Sequence, residues 1–287
     1  MTMETYTQNL ELIKYPRTPH LESSRLQLGD SEHGQLPYNQ LIGQYIVVEE
    51  KLDGANCAIS FSESGELLLQ SRGHYLIGGS RERQFNLFKH WATVHESWLI
   101  ERLEDRYIMY GEWLHKKHSI FYDALPHYFC EFDIWDRHNN CFLSTQKRHQ
   151  LLANGPILSV PVLYSGIAPK RLGDLLALVK YSLAKTNDWK SCFEKIVAQE
   201  KIDLNKAWQQ CDNSDLMEGL YLKIESEYTT TGRLKWVRQD FVQSILDAGQ
   251  HHLQQPFIPN QLAKNAELYT PQITINWNDG IIFGGGL

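Results

Sequence analysis

The sequence predicts an α+β fold in which antiparallel sheets flank a cleft. Three observations carry this expectation. Apolar runs of strand length surround most of the charged clusters. Helical spacing is confined to a few segments and does not alternate with each strand, which speaks against a doubly wound parallel sheet. Charged residues recur at the ends of the strand-like runs: Lys51, Arg72, Glu112, Asp133, Glu218, Lys223 and Lys235.

Residues 1–45 read as an irregular approach. Tyr15-Pro16-Arg17-Thr18-Pro19 is held extended by its two prolines. From Val47 to Phe61, two apolar pieces flank the turn-prone Asp53-Gly54. This predicts two adjacent strands with Lys51 at the mouth of the turn. A strand follows at 66–70, and Phe85 to Leu99 carries apolar residues at helical spacing. Strands are expected at 107–113 and 128–135, with a short apolar piece at 158–164. Helices are expected at 171–185, 188–200 and 204–210, as a lid or outer layer. Strands return at 219–226 and 233–237, then a helix at 240–248 and an apolar piece at 273–277.

Alternation in the stretch Gly219 to Lys223 puts residues 219, 221 and 223 on one face and Leu220 and Leu222 on the other. Lys223 then points into a cleft while the leucines pack.

The chain has 287 residues, with 28 basic and 34 acidic side chains and a net charge of −6. No global basic field advertises nucleic-acid binding, although a local basic groove is compatible with this mean. The five cysteines form no CxxC pair or zinc-finger spacing, and reduced thiols in a cytoplasmic protein are expected. The N-terminus lacks the apolar core of a signal peptide, and no apolar run has the length of a membrane span.

Lysines and carboxylates gathered in one pocket suit a polyphosphate with a divalent metal. Cations neutralise phosphate oxygens, and carboxylates hold Mg²⁺. An amine among them is a nucleophile once it loses its proton. A structural ion-pair network draws on the same residue types. The GxxxxGK[ST] phosphate loop, the HExxH zinc signature and the GxSxG elbow are all absent.

The motifs have an order. Lys51-Leu52-Asp53-Gly54, extended to Asn56, is followed by Ser71-Arg72-Gly73, Tyr110-Gly111-Glu112, Phe132-Asp133, Glu218-Gly219 with Lys223, and Lys235. This set resembles the covalent nucleotidyltransferase superfamily of ATP-dependent ligases and mRNA capping enzymes. Within it, Asn56 and the spacing around Glu112 look most like the RNA ligase 2-like group. The last motif departs from Lys-x-Lys, with Arg233-Leu234-Lys235 in its place. The resemblance implies a nucleotidyltransferase domain over 1–238, including the N-terminal arm and a helical insert near 171–210. It further implies that residues 239–287 are a short C-terminal extension and not a full oligonucleotide-binding barrel.

The resemblance also implies roles. ATP and Mg²⁺, or Mn²⁺, are the expected cofactors, and RNA with 5′-phosphate and 3′-OH ends the expected partner. Lys51 attacks the α-phosphate to form lysyl-AMP. AMP passes to the 5′-phosphate, and the 3′-OH then seals the strand. Asp53 and Asn56 shape the nucleotide pocket, Arg72 meets ribose or 5′-phosphate, and Glu112 accepts a ribose hydroxyl. Phe132 stacks on adenine, and Glu49 faces the base. Lys223 and Lys235 bind the α-phosphate. Glu218 holds metal; Asp133 either joins it there or orients a lysine. Arg17, Arg25, Lys116 and Lys117 are candidates for the nucleic-acid backbone. A minimal DNA ligase and a non-catalytic nucleic-acid-binding protein of the same fold are the alternatives.

Overall fold

The computed structural model describes residues 11–26, 34–241, 256–269 and 282–283. The helix expected at 240–248 and the apolar piece at 273–277 lie outside them. The strands are β1 (His20–Leu21), β2 (Gln35–Leu36), β3 (Tyr45–Glu50), β4 (Ala55–Phe61), β5 (Leu67–Ser71), β6 (Tyr107–Trp113) and β7 (Phe129–Asp136). They continue as β8 (Cys141–Leu143), β9 (Leu158–Ser159), β10 (Val162–Ile167), β11 (Gly219–Glu225), β12 (Thr229–Val237) and β13 (Ile282–Phe283). The helices are α1 (Asn86–Val94), α2 (Glu96–Leu103), α3 (Thr145–Leu151), α4 (Leu172–Leu176), α5 (Trp189–Gln199) and α6 (Leu204–Gln209).

The main strands run in the order β13-β10-β3-β11-β12-β8-β7-β6-β4-β5. Two antiparallel wings are thus parts of one continuous sheet. The wing β10-β3-β11-β12 joins the wing β8-β7-β6-β4-β5 through the short pairing of β12 with β8. Along β3, β11 and β12 the register aligns Glu49 with Tyr221 and Lys235, and Val47 with Lys223 and Arg233. Paired residues share a face. The opposite face carries Ile46, Val48, Leu220, Leu222, Leu234 and Trp236, which form one apolar cluster with Leu175 of α4. The expected division of Gly219–Lys223 between a polar and an apolar face holds.

The second wing packs its outer face under α1 and α2. Cys57, Ile59, Phe61, Met109 and Ile134 meet Phe88, Trp91 and Leu99 there. The single helix expected over 85–99 is two, broken at His95. Its inner face supplies Ala58, Ile108 and Tyr110 to a small cluster that also holds Tyr15 and Tyr221. The two wings therefore close on each other at that end.

The hairpin expected around Asp53-Gly54 does not form. β3 pairs with β10 and β11, whereas β4 pairs with β5 and β6. Residues 51–54 instead carry the chain from one wing to the other. Leu52 anchors the crossing in a cluster with Leu114, Ile120 and Val237. Gly54 allows it: a Cβ there would lie 2.7 Å from the Trp113 carbonyl oxygen and 2.8 Å from the Leu114 side chain.

The insert also differs from expectation. α4 covers only five residues of 171–185. α5 and α6 pack Trp189, Phe193, Val197 and Ala207 on Phe121 and on Ile258 of the C-terminal segment. That segment is laced to the core: the Asn260 side chain donates to the Leu114 carbonyl at 2.7 Å and accepts from the Tyr122 amide at 2.9 Å. α3 was not legible in advance. Ser144 caps it by accepting from the Lys147 amide.

Candidate active site

Lys51 leaves the end of β3 with its backbone amide donating to the Gly219 carbonyl at 3.1 Å. This places its side chain beside Glu218, and Nζ lies 2.7 Å from Oε1 and 2.8 Å from Oε2. The lysine side chain is 24% exposed and the glutamate 2%. The amine is thus partly open to solvent with the carboxylate buried behind it.

Asp53 turns away from the cleft. Its Oδ2 accepts from the amides of Ser119 and Ile120 at 2.6 and 2.8 Å. The Asp53 amide donates to the Tyr122 hydroxyl at 2.9 Å. Asp53 therefore fixes the crossing segment to the 114–125 loop. The next amide, Gly54, donates to Glu112 Oε1 at 2.9 Å. Asn56 pairs with Glu112 across β4 and β6, on the same face.

The electrostatics are concentrated here. Burial pushes Glu112 up to about 8 against the pull of Lys51, and Asp53 and Glu218 add to the push. Burial likewise pushes Glu218 up to about 7 against Lys51, with Lys235 near enough to draw it down. Burial draws Lys51 down, but Glu218, Asp53 and Glu112 outweigh it and hold the ammonium form more tightly than usual. Lys51, Asp53, Glu112, Glu218 and Lys235 are thus brought into one electrostatic unit. Arg72 is exposed one step beyond the Cys57–Ser71 pair, beside Asn56 at the rim.

Glu49 and Lys223 lie deeper. Lys223 Nζ donates to Glu49 Oε1 at 2.8 Å and to the Phe132 carbonyl, and its side chain is fully buried. Arg148 of α3 donates to Glu49 at 2.8 Å and to both oxygens of Glu131 at 2.6 and 2.7 Å. Ser159 donates to Glu131 at 2.6 Å. This is a chain of alternating charges that joins both wings. Glu49 Oε1 takes both cations while Glu49 Oε2 and Arg148 Nε have no hydrogen-bond partner, and burial keeps Glu49 and Lys223 from presenting a free charge to the cleft.

Phe132 is the extra residue of a β-bulge. Tyr110 pairs with Asp133 and Gly111 with Glu131, which leaves Phe132 between them. The half-buried ring packs against both the Leu52 cluster and the Tyr15 cluster.

Asp133 does not join Glu218. Its Oδ2 accepts from Arg233 Nε at 2.7 Å and from the Tyr15 hydroxyl at 2.8 Å, and the residue is fully buried. Arg233 is the register partner of Lys223, five positions along the strand from Glu218, or about 16 Å. Asp133 therefore orients an arginine, where a metal or a lysine was expected. Among the described residues no three His, Cys, Asp or Glu side chains converge on a metal position. A Mg²⁺ shared with substrate phosphates needs only one or two carboxylates. Glu218 and Glu112 fit that requirement.

Of the four expected backbone-contact cations, Lys117 is buried and donates to the carbonyls of His118 and Gln210. It is a structural cation that ties the insert to the loop carrying Ser119. All five cysteines are free thiols. No described helix is long and apolar enough to cross a membrane. Tyr15, Tyr122 and Arg148 join the site without belonging to any of the motifs. Each acts through contacts more than 60 residues distant, save the Arg148–Glu131 and Arg148–Thr145 bonds, and no local pattern marks them.

The family model for RNA ligase matches residues 44–237. The chain belongs to the RNA ligase family. No curated protein matches it. Among solved structures, the Naegleria gruberi RNA ligase with PPi is 17% identical, covers 72% of this chain and 53% of its own, and has a TM-score of 0.49. A mutant of that ligase with ATP and Mn is 19% identical over 70% of this chain and 52% of its own, at a TM-score of 0.46. The chain spans about half the length of these ligases. The family match begins at β3 and ends with β12, so it encloses the crossing segment and every site residue named above except Tyr15.

Proposed function

We propose that this protein is an ATP-dependent RNA ligase that works through a lysyl-AMP intermediate on Lys51. The observation that carries the reading is the amine of Lys51, a quarter exposed at the junction of two wings and backed by buried Glu218 at 2.7 Å. Family membership supports the same chemistry.

Lys51 must lose a proton before it attacks. Glu218, held near 7, is the closest group able to take it. Lys51 Nζ then bonds to the α-phosphorus of ATP, the bond to pyrophosphate breaks, and lysyl-AMP remains. AMP next moves to a 5′-phosphate at the expense of the phosphoramidate bond. A 3′-OH attacks that phosphate, the phosphodiester forms and AMP leaves. Glu218, once it has passed that proton on, is the carboxylate that would hold Mg²⁺ or Mn²⁺, which would draw negative charge from phosphate oxygens.

Lys235 lies on the same strand face as Glu49 and Tyr221 and meets the α-phosphate in this reading. Asn56 and Glu112 meet the ribose, Arg72 at the rim meets ribose or the 5′-phosphate, and Phe132 stacks on the base. Glu49 and Lys223 act from behind by holding the Phe132 backbone. Asp53 shapes the pocket through the loop amides it binds.

The test is a ligation panel on matched nicked RNA and nicked DNA with ATP and Mg²⁺. Sealing of RNA in preference to DNA is expected. Equal or better sealing of DNA makes the protein a minimal DNA ligase, and absence of both sealing and adduct makes it a binding protein. The 2′-OH is the handle for that discrimination.

A further inference from the structure

We infer that Tyr15, in the N-terminal arm, is a positioning residue that sets the Phe132 ring in the nucleotide cleft. The inference rests on Phe132 as the base-stacking residue of the proposed function. Tyr15 lies outside residues 44–237, the part of the chain that matches the family.

The arm crosses the inner faces of both wings. The Ile13 carbonyl accepts from the Tyr110 hydroxyl at 2.8 Å and from the Gln70 side chain at 3.0 Å. Thr18 Oγ1 lies 2.8 Å from the Tyr221 hydroxyl, and the Pro19 carbonyl accepts from the Lys235 amide at 3.0 Å. Between these points Tyr15 is buried. Its hydroxyl donates to Asp133 and lies 2.8 Å from that of Tyr221, so one residue links β7 to β11. Its ring sits edge-on to Phe132 with centroids 5.0 Å apart.

Phe132 is thereby held from two sides. A bulged residue lacks a partner across the strand, and its backbone is the loosest point of the ladder. Lys223 ties down its carbonyl. Tyr15 occupies the space behind its ring. Without Tyr15, that space is open between the wings, and the ring is free to swing into it and away from the cleft. Removing only the hydroxyl leaves the packing but unties β7 from β11.

Equilibrium binding of ATP and of inorganic tripolyphosphate, each with Mg²⁺, separates this role from general stability. The full chain is used, in a Lys51→Ala background that removes the reactive amine. Tyr15→Ala is expected to weaken ATP about three- to tenfold, the scale of an aromatic pair, and to leave tripolyphosphate unchanged. Phe132→Leu is expected to do the same, and the double variant to be no worse than the weaker single. Tyr15→Phe keeps the packing and is read where Tyr15→Ala fails to fold; a smaller loss confined to ATP supports the inference. Wild-type ATP affinity in Tyr15→Ala, or in Tyr15→Phe where it is the one read, overturns it. So does an equal loss of ATP and tripolyphosphate in either. Wild-type ATP affinity in Phe132→Leu overturns the stacking reading itself, and the inference with it.

Discussion

Glu218 lies 167 residues from Lys51 in sequence and 2.8 Å from it in space. The carboxylate is buried and the amine covers it, so Glu218 reaches the cleft only past Lys51. Nucleophile and acid are therefore one unit. Whatever enters the cleft meets the lysine first.

Replacing Glu218 with Ala removes the proton acceptor and the anionic anchor together. Adduct formation should fall roughly 100-fold or more, as for other losses of a charged group at a transferring centre. The fold should lose only about 1 kcal/mol, because Lys51 remains partly solvated. Rates across a Mg²⁺ titration, paired with thermal melts, check this. An unchanged rate at every Mg²⁺ concentration removes Glu218 from the mechanism.

Stability should fall between about pH 6.5 and 8. Glu50, Glu112 and Glu218 are raised from an ordinary 4.5 to about 7, about 8 and about 7, chiefly by burial. The folded protein holds these protons while the unfolded chain releases them. Their stabilising contribution is complete below the unfolded value and is lost as pH rises through the folded values. Below this window His115, His127 and His149, of which only His127 is buried, are lowered by desolvation to about 4, 4 and 3 and act in the opposite sense. Above it Lys185, lowered to about 8, does so. The fall should be roughly 1–3 kcal/mol, and Glu50→Gln should remove about 1 kcal/mol of it. Urea melts across the window give the sign; a rise contradicts the assignment.

Arg148→Met should destabilise the protein by about 3–5 kcal/mol, since Glu131 then keeps only Ser159 and is a buried carboxylate with no cation, while Glu49 keeps Lys223. Denaturant midpoints measure it. A cost under about 1 kcal/mol means Lys223 and Ser159 satisfy the two acids without the guanidinium.

Much of the site was legible because its chemistry is local. Lys51, Asp53 and Gly54 stand in one short stretch, and alternation alone placed Tyr221 and Lys223 on the polar face. The partners were not legible. Asp53-Gly54 has the composition of a tight turn, yet Leu52 and the amides of Ser119 and Ile120 pull it into a crossing between wings. Thr145–Leu151 is polar along its length and reads as surface, while its Arg148 is fully buried against acids from β3 and β7. The 171–185 segment has helical leucine spacing, but only Leu172–Leu176 is helical, and Lys180–Tyr181 instead pairs with the chain before Glu218. Tertiary partners override local pattern in each case.

Gly54→Ala should cost about 1–3 kcal/mol and slow adduct formation. The added methyl group meets the Trp113 carbonyl and the Leu114 side chain. Relief of that clash moves the Gly54 amide away from Glu112, which links the crossing segment to the site. Melting temperature and adduct rate should fall together. A melting change with normal adduct formation separates the Gly54–Glu112 contact from catalysis.

The most direct test of the central claim is mass measurement of the protein after incubation with ATP and Mg²⁺, with the AMP-bearing peptide mapped. Wild type should carry one AMP on Lys51. Lys51→Ala and Lys51→Arg should carry none, because a guanidinium stays protonated and cannot attack. Both should still seal nicked RNA supplied with AMP already on its 5′-phosphate, a step that needs no lysyl-AMP. An AMP adduct on Lys51→Ala at the wild-type rate would contradict the account.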